Sequence, residues 1–230
     1  MAEVIVALDL ASGSEAIRLL DRLPDARWVK VGSILMTAEG PDLVRVLADR
    51  GLRVFLDLKW HDIPNTVAGA VGAARALGVA MVTVHTLGGA AMMEAAAVAA
   101  GGRVGIVGVT VLTSHDPASY SRALGRTGVD LGREAERQSA EAMRCGLAGV
   151  VCSPGEVEGV RRRLGPDAWI VVPGIRGRTD PKGDQVRVAS AADATTAGAT
   201  HLVVGRPILH AADPAAAFRG FLEEAQCIGS

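Results

Sequence analysis

Charged side chains that interrupt two apolar runs have the types and spacing for proton chemistry. Asp57 and Lys59 are two residues apart in one run, so on a regular β-strand both side chains face the same side. Lys30 interrupts an earlier run, and Asp62 follows Lys59 after three residues. A structural salt bridge between Asp57 and Lys59 is the alternative interpretation, which Lys30 on a neighbouring strand weakens. Such an alternating set would present fixed charges to a substrate.

Lysine is rare in this chain, which sharpens the interest in these positions. Of 24 basic residues only three are lysines, at positions 30, 59 and 182, and the others are arginines. An ammonium can give up its proton near neutral pH when suitably placed, whereas a guanidinium cannot. The remaining lysines are therefore interpreted as residues that arginine cannot replace.

Eight short apolar runs must position these side chains, and segments with apolar residues at helical spacing separate them. The runs are 4–10, 28–33, 53–59, 81–86, 103–112, 149–153, 169–175 and 201–208. This alternation predicts a (β/α)8 TIM barrel in which residues 1–230 form a single domain. A doubly wound open sheet is the alternative, and the lack of GxGxxG after the first run counts against it. In a barrel, the charged residues fall at the C-terminal, catalytic ends of the strands.

A second group of residues has the chemistry of a phosphate site. Arg176 follows the seventh run, and Gly205 and Arg206 interrupt the eighth, where barrels of this kind usually bind phosphate. Glycine lets backbone N–H groups approach phosphate oxygens, and arginine supplies bidentate charge. A lone Gly-Arg pair is more often a turn, but Arg176, Gln185 and Arg206 together favour phosphate. The long connections 113–129 and 175–187 are candidate lids.

The segment DLKWHDIPNTV (57–67) closely resembles the signature of the orotidine monophosphate decarboxylase family, Asp-x-Lys-x-x-Asp-Ile-Pro-Asn-Thr. Further matches occur in the family's order at Ala7-Leu8-Asp9, Lys30-Val31-Gly32, 109–114, 173–176, Gln185 and 203–208. The resemblance therefore covers nearly the whole chain. It implies a barrel that converts orotidine monophosphate to uridine monophosphate and CO2, the last step of de novo UMP synthesis, without cofactor or metal.

The resemblance also implies catalytic roles. Lys59 would protonate C6 of the pyrimidine after CO2 leaves, with Asp57 beside the substrate carboxylate. Lys30 would link the carboxylates to the ribose. Asp62 would come across the interface of a homodimer, with Thr66 beside it, so that each active site is shared between two subunits.

Substrate-binding roles follow from the same resemblance. Asp9 would hold ribose hydroxyls, and Thr113 and Ser114 would lie near the base edge. The phosphate group would be bound by Arg176, Gln185, Gly205 and Arg206. The expected partner is thus a small nucleotide substrate.

Three other functions remain open. Metal-dependent sugar-phosphate decarboxylases and synthases share Asp-x-Lys-x-x-Asp, but at the position of Lys30 they have an acidic residue that binds Mg²⁺. An ammonium at this position would repel the ion. A catalytically silent nucleotide-binding barrel would predict decay of the Lys/Asp set, which is intact. A phosphosugar isomerase would share the phosphate site but gives no reason for DLKWHDIPNT.

Composition and length limit the remaining possibilities. A net charge of -1 over 230 residues argues against a general nucleic-acid or membrane-surface binder. The first residues lack a basic region, no apolar stretch is long enough to span a bilayer, and three cysteines form no CxxC pair. These features predict a cytoplasmic protein. His115, His201 and His210 have no metal-ligand spacing with one another. An orienting or packing role is expected for His61, and a hydrogen-bonded core role for His85.

Overall fold

The computed structural model describes residues 1–177 and 188–226, and its centre is a closed barrel of eight parallel strands in chain order. The strands are β1 (Glu3–Ala7), β2 (Trp28–Gly32), β3 (Arg53–Trp60), β4 (Met81–His85), β5 (Gly105–Val109), β6 (Gly149–Val151), β7 (Trp169–Val172) and β8 (His201–Val204). β8 pairs with β1, which closes the sheet. The predicted (β/α)8 barrel is confirmed, and an open doubly wound sheet is excluded.

Helices cover the outside of the barrel. In the described residues they are α1 (Gly13–Leu20), α2 (Ser33–Glu39), α3 (Pro41–Asp49), α4 (Pro64–Ala76), α5 (Ala90–Ala100), α6 (Pro117–Ala123), α7 (Leu131–Arg144), α8 (Val157–Leu164), α9 (Ala191–Thr196), α10 (Arg206–Leu209) and α11 (Pro214–Gln226). Two short 3-10 helices occupy Thr86–Gly88 and Pro154–Glu156. Local side chains fix where several of the α-helices begin. Ser12 caps α1 by accepting a hydrogen bond from Glu15 N, and a proline occupies the first turn of α4.

Several strands end earlier than the apolar runs predict. The run 201–208 contains β8 only to Val204, after which Gly205 turns the chain into α10. The run 103–112 likewise contains β5 only to Val109. Beyond the strand ends, Val111 is buried in a loop and Ile208 in α10, whereas Leu112 is 36% exposed. Hydrophobicity alone does not distinguish these environments from a strand. These early ends leave room for a cavity at the C-terminal mouth.

Side chains of each strand alternate between two cores. Val4 and Val6 of β1 join the larger core between barrel and helices, while Ile5 and Ala7 point into the barrel. The inner core also contains Trp28, Phe55, Met81, Val107, Val171 and Val203. A small separate core lies under the connection from β5 to α7 and contains Val111, Tyr120, Val129 and Leu131. Within the described ranges, no helix is long and apolar enough to cross a membrane.

Candidate active site

The C-terminal mouth of the barrel contains a cavity of about 520 Å³. The structure brings eight of the predicted site residues to its lining: Asp9, Lys30, Asp57, Lys59, Thr113, Arg176, Gly205 and Arg206. They come from the ends of β1, β2 and β3 and from the connections after β5, β7 and β8, and β8 pairs directly with β1. The cavity thus has a charged side near β1 to β3 and a basic side near β7 and β8.

The four charged residues on the first side form a row of alternating sign, called here the charged row (Asp9, Lys30, Asp57 and Lys59). Lys30 Nζ lies 2.9 Å from Asp9 Oδ1 and 3.7 Å from Asp57 Oδ2. Lys59 Nζ donates to both oxygens of Asp57, at 2.8 and 2.9 Å. Every charge in the row therefore has an opposite charge next to it, which makes its burial tolerable.

Lys59 reaches this row through an irregular backbone. The expectation of a regular strand is wrong at this point, because the pairing register with β4 shifts between Leu56 and Trp60 and Lys59 has a φ of 50°. Its N–H donates to Thr83 Oγ1 at 2.8 Å, and Thr83 Oγ1 donates to Asp57 Oδ1 at 3.0 Å. Thr83 thus fixes both the backbone of Lys59 and the carboxylate of Asp57.

Burial and charge act in opposite directions on Asp57. Burial alone would raise the pKa of this carboxyl, but the charges of Lys59 and Lys30, with hydrogen bonds from Lys59 and Thr83, outweigh burial and lower the pKa below its ordinary value. Asp57 is therefore a carboxylate at neutral pH. Lys30 is also buried, whereas the Lys59 side chain keeps 41% of its surface exposed and faces the cavity.

A glycine makes the start of the charged row possible. A Cβ on Gly32 would lie 3.0 Å from Lys30 Nζ and 3.3 Å from Asp9 Oδ1, closer than side chains normally approach. Its small size, rather than an unusual backbone angle, is what this position requires. The sequence Lys-Val-Gly in β2 thereby supplies both an ammonium and the space for its ion pair.

The side of the cavity near β7 and β8 is basic. Arg176 is buried, and its Nη1 donates to Ile175 O at 2.8 Å, while Arg206 is exposed at the first position of α10. A Cβ on Gly205 would lie 3.4 Å from that of Ala7, so the chain passes close to β1 here. The predicted phosphate ligand Gln185 and the lysine at 182 lie outside the described residues, as does most of the candidate lid 175–187.

Three predicted site residues are not brought to this cavity within the described chain. Asp62 and Thr66 are exposed, and Asp62 Oδ1 accepts from the adjacent Ile63 N at 2.6 Å. Ser114 is exposed beside Thr113, but only Thr113 lines the cavity. Asp62 and Thr66 stand at the start of α4, outside the mouth of their own barrel.

Several residues that line the cavity escaped prediction. They are mainly apolar: Ala7, Phe55, Val109, Val111, Leu112, Val151, Cys152, Val171, Pro173, Gly174, Val203, Leu209 and His210. Six of the thirteen lie on strands, where alternation could have identified them, and the other seven lie beyond the strand ends. Thr83, which supports the charged row from β4, also had a signal, because it is a polar residue inside an apolar run.

Two histidines pack beside the charged row. The rings of His61 and His85 stack with centroids 5.4 Å apart, and His85 Nδ1 accepts from Leu87 N. Burial, together with the nearby His61 and Lys59, lowers the pKa of His85 to about 4, so its ring is neutral at neutral pH. The pair fits the packing role expected of the histidines.

Known proteins that are similar to this chain in sequence or in structure include several enzymes of one name. A family model described as orotidine 5'-phosphate decarboxylase / HUMPS matches residues 2–221. An orotidine 5'-phosphate decarboxylase of Alkalilimnicola ehrlichii is 52% identical over 221 residues, covering 94% of this chain and 93% of that one. The enzyme of that name from Halorhodospira halophila is 49% identical over 231 residues, covering 98% and 97%. The crystal structure of orotidine 5'-phosphate decarboxylase from Lactobacillus acidophilus matches with a TM-score of 0.87 at 34% identity, covering 99% of this chain and 100% of that one.

Proposed function

This chain belongs to the orotidine 5'-phosphate decarboxylase / HUMPS family, and on that premise we propose how its cavity converts orotidine 5'-monophosphate to uridine 5'-monophosphate and CO2. The reaction is that of a carboxy-lyase in UMP synthesis, as in the named relatives. The single structural observation that carries the proposal is the charged row at one side of a cavity whose other side carries Arg176 and Arg206.

Lys59 is the proposed proton donor. Loss of CO2 from C6 leaves a vinyl carbanion with no adjacent carbonyl π-system to absorb its charge. An ammonium at C6 stabilises that charge as it develops and then protonates the carbon. Lys59 Nζ suits this role because it faces the cavity and is held by both oxygens of Asp57.

Asp57 is the proposed neighbour of the substrate carboxylate. Its lowered pKa keeps it ionised, so it repels the carboxylate of the bound substrate. The repulsion disappears as neutral CO2 forms, which favours the transition state over the bound substrate. Lys30, between Asp57 and Asp9, limits the cost of placing these negative charges together and links them to the ribose.

Arg176, Gly205 and Arg206 are the proposed phosphate ligands, with Gln185 as a further ligand. Loops after β7 and β8 are the usual phosphate site of this barrel. Binding of the phosphate would hold the pyrimidine against the charged row, so that the phosphate binding energy offsets the cost of orienting the reacting carbon. Asp9 would hold the ribose between the two sides, and Thr113 and Ser114 would lie near the base edge.

A homodimer is proposed to complete each site with Asp62 and Thr66 of a second subunit. In support, both residues are exposed and outside their own cavity, and large apolar side chains are exposed after the ends of three neighbouring strands. These are Ile34, Ile63 and Leu87, with 63%, 66% and 39% of their surface accessible. A cytoplasmic location is proposed with it, since Cys145 keeps its thiol and forms no disulfide in the described residues.

Mixing two inactive variants tests the shared site. If Asp62 acts across the interface, dimers formed from Asp62→Ala and Lys59→Ala subunits contain one intact site and regain up to half the activity per dimer. Activity that stays absent after subunit exchange, with the mixed dimer verified by mass, would contradict the shared site and leave the decarboxylation itself untouched.

The decarboxylation is tested by following the ultraviolet absorbance of orotidine monophosphate with enzyme prepared and assayed in EDTA. We expect turnover by the wild type and a loss of at least about 10⁴-fold in Lys59→Ala, because both proton transfer and charge stabilisation are removed. Lys59→Arg is the matched control: its guanidinium keeps the positive charge but does not release a proton near neutral pH, so this variant should be inactive as well.

Other outcomes of this assay identify the alternatives. No turnover of orotidine monophosphate, together with Mg²⁺-dependent turnover of a sugar phosphate that EDTA abolishes, would favour the metal-dependent sugar-phosphate enzymes. Tight nucleotide binding by the wild type without turnover would favour a silent barrel.

A further inference from the structure

A buried carboxylate outside the cavity has no part in the chemistry described so far. Glu134 of α7 is 4% exposed and forms ion pairs with Arg137 Nη2, at 2.7 Å, and with Arg126 Nη1, at 3.3 Å. The hydrogen bonds from Arg137 lead the effects that lower the pKa of Glu134 to about 2, so it stays ionised. Buried charges are costly unless they are paired, so the pairing partners indicate what this carboxylate holds.

Glu134 continues into a chain of buried polar groups. Gln138 Nε2 donates one proton to Glu134 Oε1 at 3.0 Å and the other to Tyr120 OH at 2.8 Å. Thr86 Oγ1 lies 2.6 Å from Gln138 Oε1 and 2.9 Å from Val109 O. Both amide protons and the carbonyl of Gln138 are therefore engaged, which fixes its orientation. We call Thr86, Tyr120, Glu134 and Gln138 the polar anchor.

The polar anchor ties down the connection from β5 to α7. Tyr120 lies in α6, in the middle of this connection, and Arg126 follows α6, whereas Glu134 and Gln138 belong to α7 and Thr86 follows β4. The ring of Tyr120 packs with Val111, Val129 and Leu131 in the small separate core. The connection is thus held by charge, hydrogen bonds and apolar packing, although part of its outer surface is exposed.

Val111 joins this core to the cavity. It belongs to the small core with Tyr120 and also lines the cavity, together with the adjacent Leu112 and Thr113. β5 is separated from β3, which carries Lys59, only by β4, while the basic side of the cavity lies at β7 and β8. A nucleotide with its phosphate at the basic side and its base at Lys59 therefore has its base near the 111–113 wall.

We propose that the polar anchor consists of positioning residues that set the 111–113 wall against the pyrimidine, and so control affinity for the base without contacting it. The inference rests on the proposed function, because it takes the pyrimidine to be the group at Lys59. It goes beyond that function by assigning a role in base recognition to residues on α6 and α7. Loss of the Tyr120 hydroxyl leaves one N–H of Gln138 Nε2 buried without a hydrogen-bond acceptor. Because this is costly, it favours movement of the connection from β5 to α7.

The test compares two ligands that share the phosphate and ribose but differ in the base. Dissociation constants for uridine monophosphate and for ribose 5-phosphate are measured by calorimetry for the wild type, Tyr120→Phe and Glu134→Gln. We expect binding of uridine monophosphate to weaken about tenfold, which is about 1.4 kcal/mol. Binding of ribose 5-phosphate should change by less than about twofold, since no wall contact with a base is lost.

A matched control lies on the same helix. Glu141 pairs with Arg144 at the surface of α7, away from the connection, so Glu141→Gln should leave both dissociation constants unchanged. Combining Tyr120→Phe with Gln138→Leu should weaken binding by less than the product of the single effects, because the two substitutions remove the same hydrogen bond. Should Tyr120→Phe fail to fold, Arg126→Gln, at the half-exposed end of the network, provides the same comparison.

Two results would overturn the proposal. Equal weakening of both ligands would mean that the substitutions loosen the whole cavity, and unchanged affinity for both would mean that the anchor does not reach the wall. Failure of the proposed function is a separate observation, namely wild-type enzyme that does not turn over orotidine monophosphate. The two failures are therefore distinguishable.

Discussion

The two ends of the barrel interior both bury a titratable group, but they treat charge in opposite ways. At the C-terminal mouth, Asp57 lies between Lys30 and Lys59. At the N-terminal end, His201 packs between Trp28 and Trp169, with both ring distances 5.2 Å, and Arg53 covers the face of Trp28. One end is a row of ions, and the other is a cluster of aromatic rings.

The pKa of the buried group is lowered at both ends, with opposite consequences. Asp57 remains charged because two ammonium groups outweigh its burial. His201 becomes neutral because burial, helped by the positive charge of Arg53, lowers its pKa to about 4. The mouth retains charge for use on a substrate, whereas the other end removes charge and serves stability, as expected for the two faces of such a barrel.

Among the variants that compare the two ends of the barrel, Lys30→Met, which breaks the charged row, has the largest expected effect. This change leaves Asp9 and Asp57 without their shared buried cation, so the pKa of Asp57 should rise and kcat/KM should fall by about 10²–10³-fold. The free energy of unfolding should fall by about 3–5 kcal/mol, the usual cost of removing one partner of a buried ion pair. Steady-state kinetics and urea unfolding measure the two effects.

Arg45→Met is the control for Lys30→Met. Arg45 pairs with Asp42 on the surface of α3, where an ion pair contributes less than about 1 kcal/mol. Equal losses in the two variants would show that the row at the mouth has no special role.

An intermediate effect separates the two ends by pH. The pKa of His201 is about 4 in the folded protein and 6.5 when unperturbed, so unfolding takes up a proton below pH 6.5. The contribution of neutral His201 to the free energy of unfolding is complete above pH 6.5 and is lost as the pH falls to about 4. The free energy of unfolding changes by up to about 3 kcal/mol over this range. His85 adds a smaller effect in the same window, since it is less buried.

Asp57 contributes in a different window. Its pKa is lowered from 3.8, so its stabilisation is present above that value and is lost only as the pH falls further. The difference in urea unfolding between wild type and His201→Phe, from pH 7.5 to 4.5, therefore reports on the aromatic end, because His85 contributes equally to both proteins. A slope that His201→Phe leaves unchanged would contradict the neutral buried imidazole.

The smallest expected effect compares one threonine from each end. Thr83→Val removes the hydrogen bond to Asp57 and the acceptor of Lys59 N, so kcat should fall about three- to tenfold. Thr200→Val, which removes bonds to Ile170 and His201 at the other end, should cost a similar 1 kcal/mol or so of stability with kcat unchanged. A lower kcat in both variants would mean that the two ends are coupled.

Sequence alone predicts the parts of this molecule that follow from local pattern. Strand positions and the charges at strand ends depend on alternation and on neighbouring residues, so the barrel and its charged row could be expected. The approach of Lys59 to Asp57 was expected for the wrong reason, since a register shift and a positive φ take the place of a regular strand.

Contacts between distant residues could not be predicted in the same way. Thr86 and Gln138 are 52 positions apart, and their hydrogen bond depends on how β4 and α7 meet in three dimensions. Glu134 lies among arginines and glutamates on α7, a pattern typical of a solvated helix face, yet it is buried. Dimer contacts likewise leave no periodic signal in the sequence.

The backbone at Lys59 has an evolutionary consequence. Among the described residues, it is the only position other than glycine with a positive φ, a conformation that costs an L-residue on the order of 1 kcal/mol and glycine almost nothing. Glycine at this position would relieve the backbone but leave the buried Asp57 carboxylate without its nearest cation, so it would not be favoured by selection for thermal tolerance as a single change. Laboratory evolution toward heat resistance should therefore lose Lys59 only together with Asp57, unless each round also selects for turnover, which makes this pair of residues a record of the compromise between durability and catalysis.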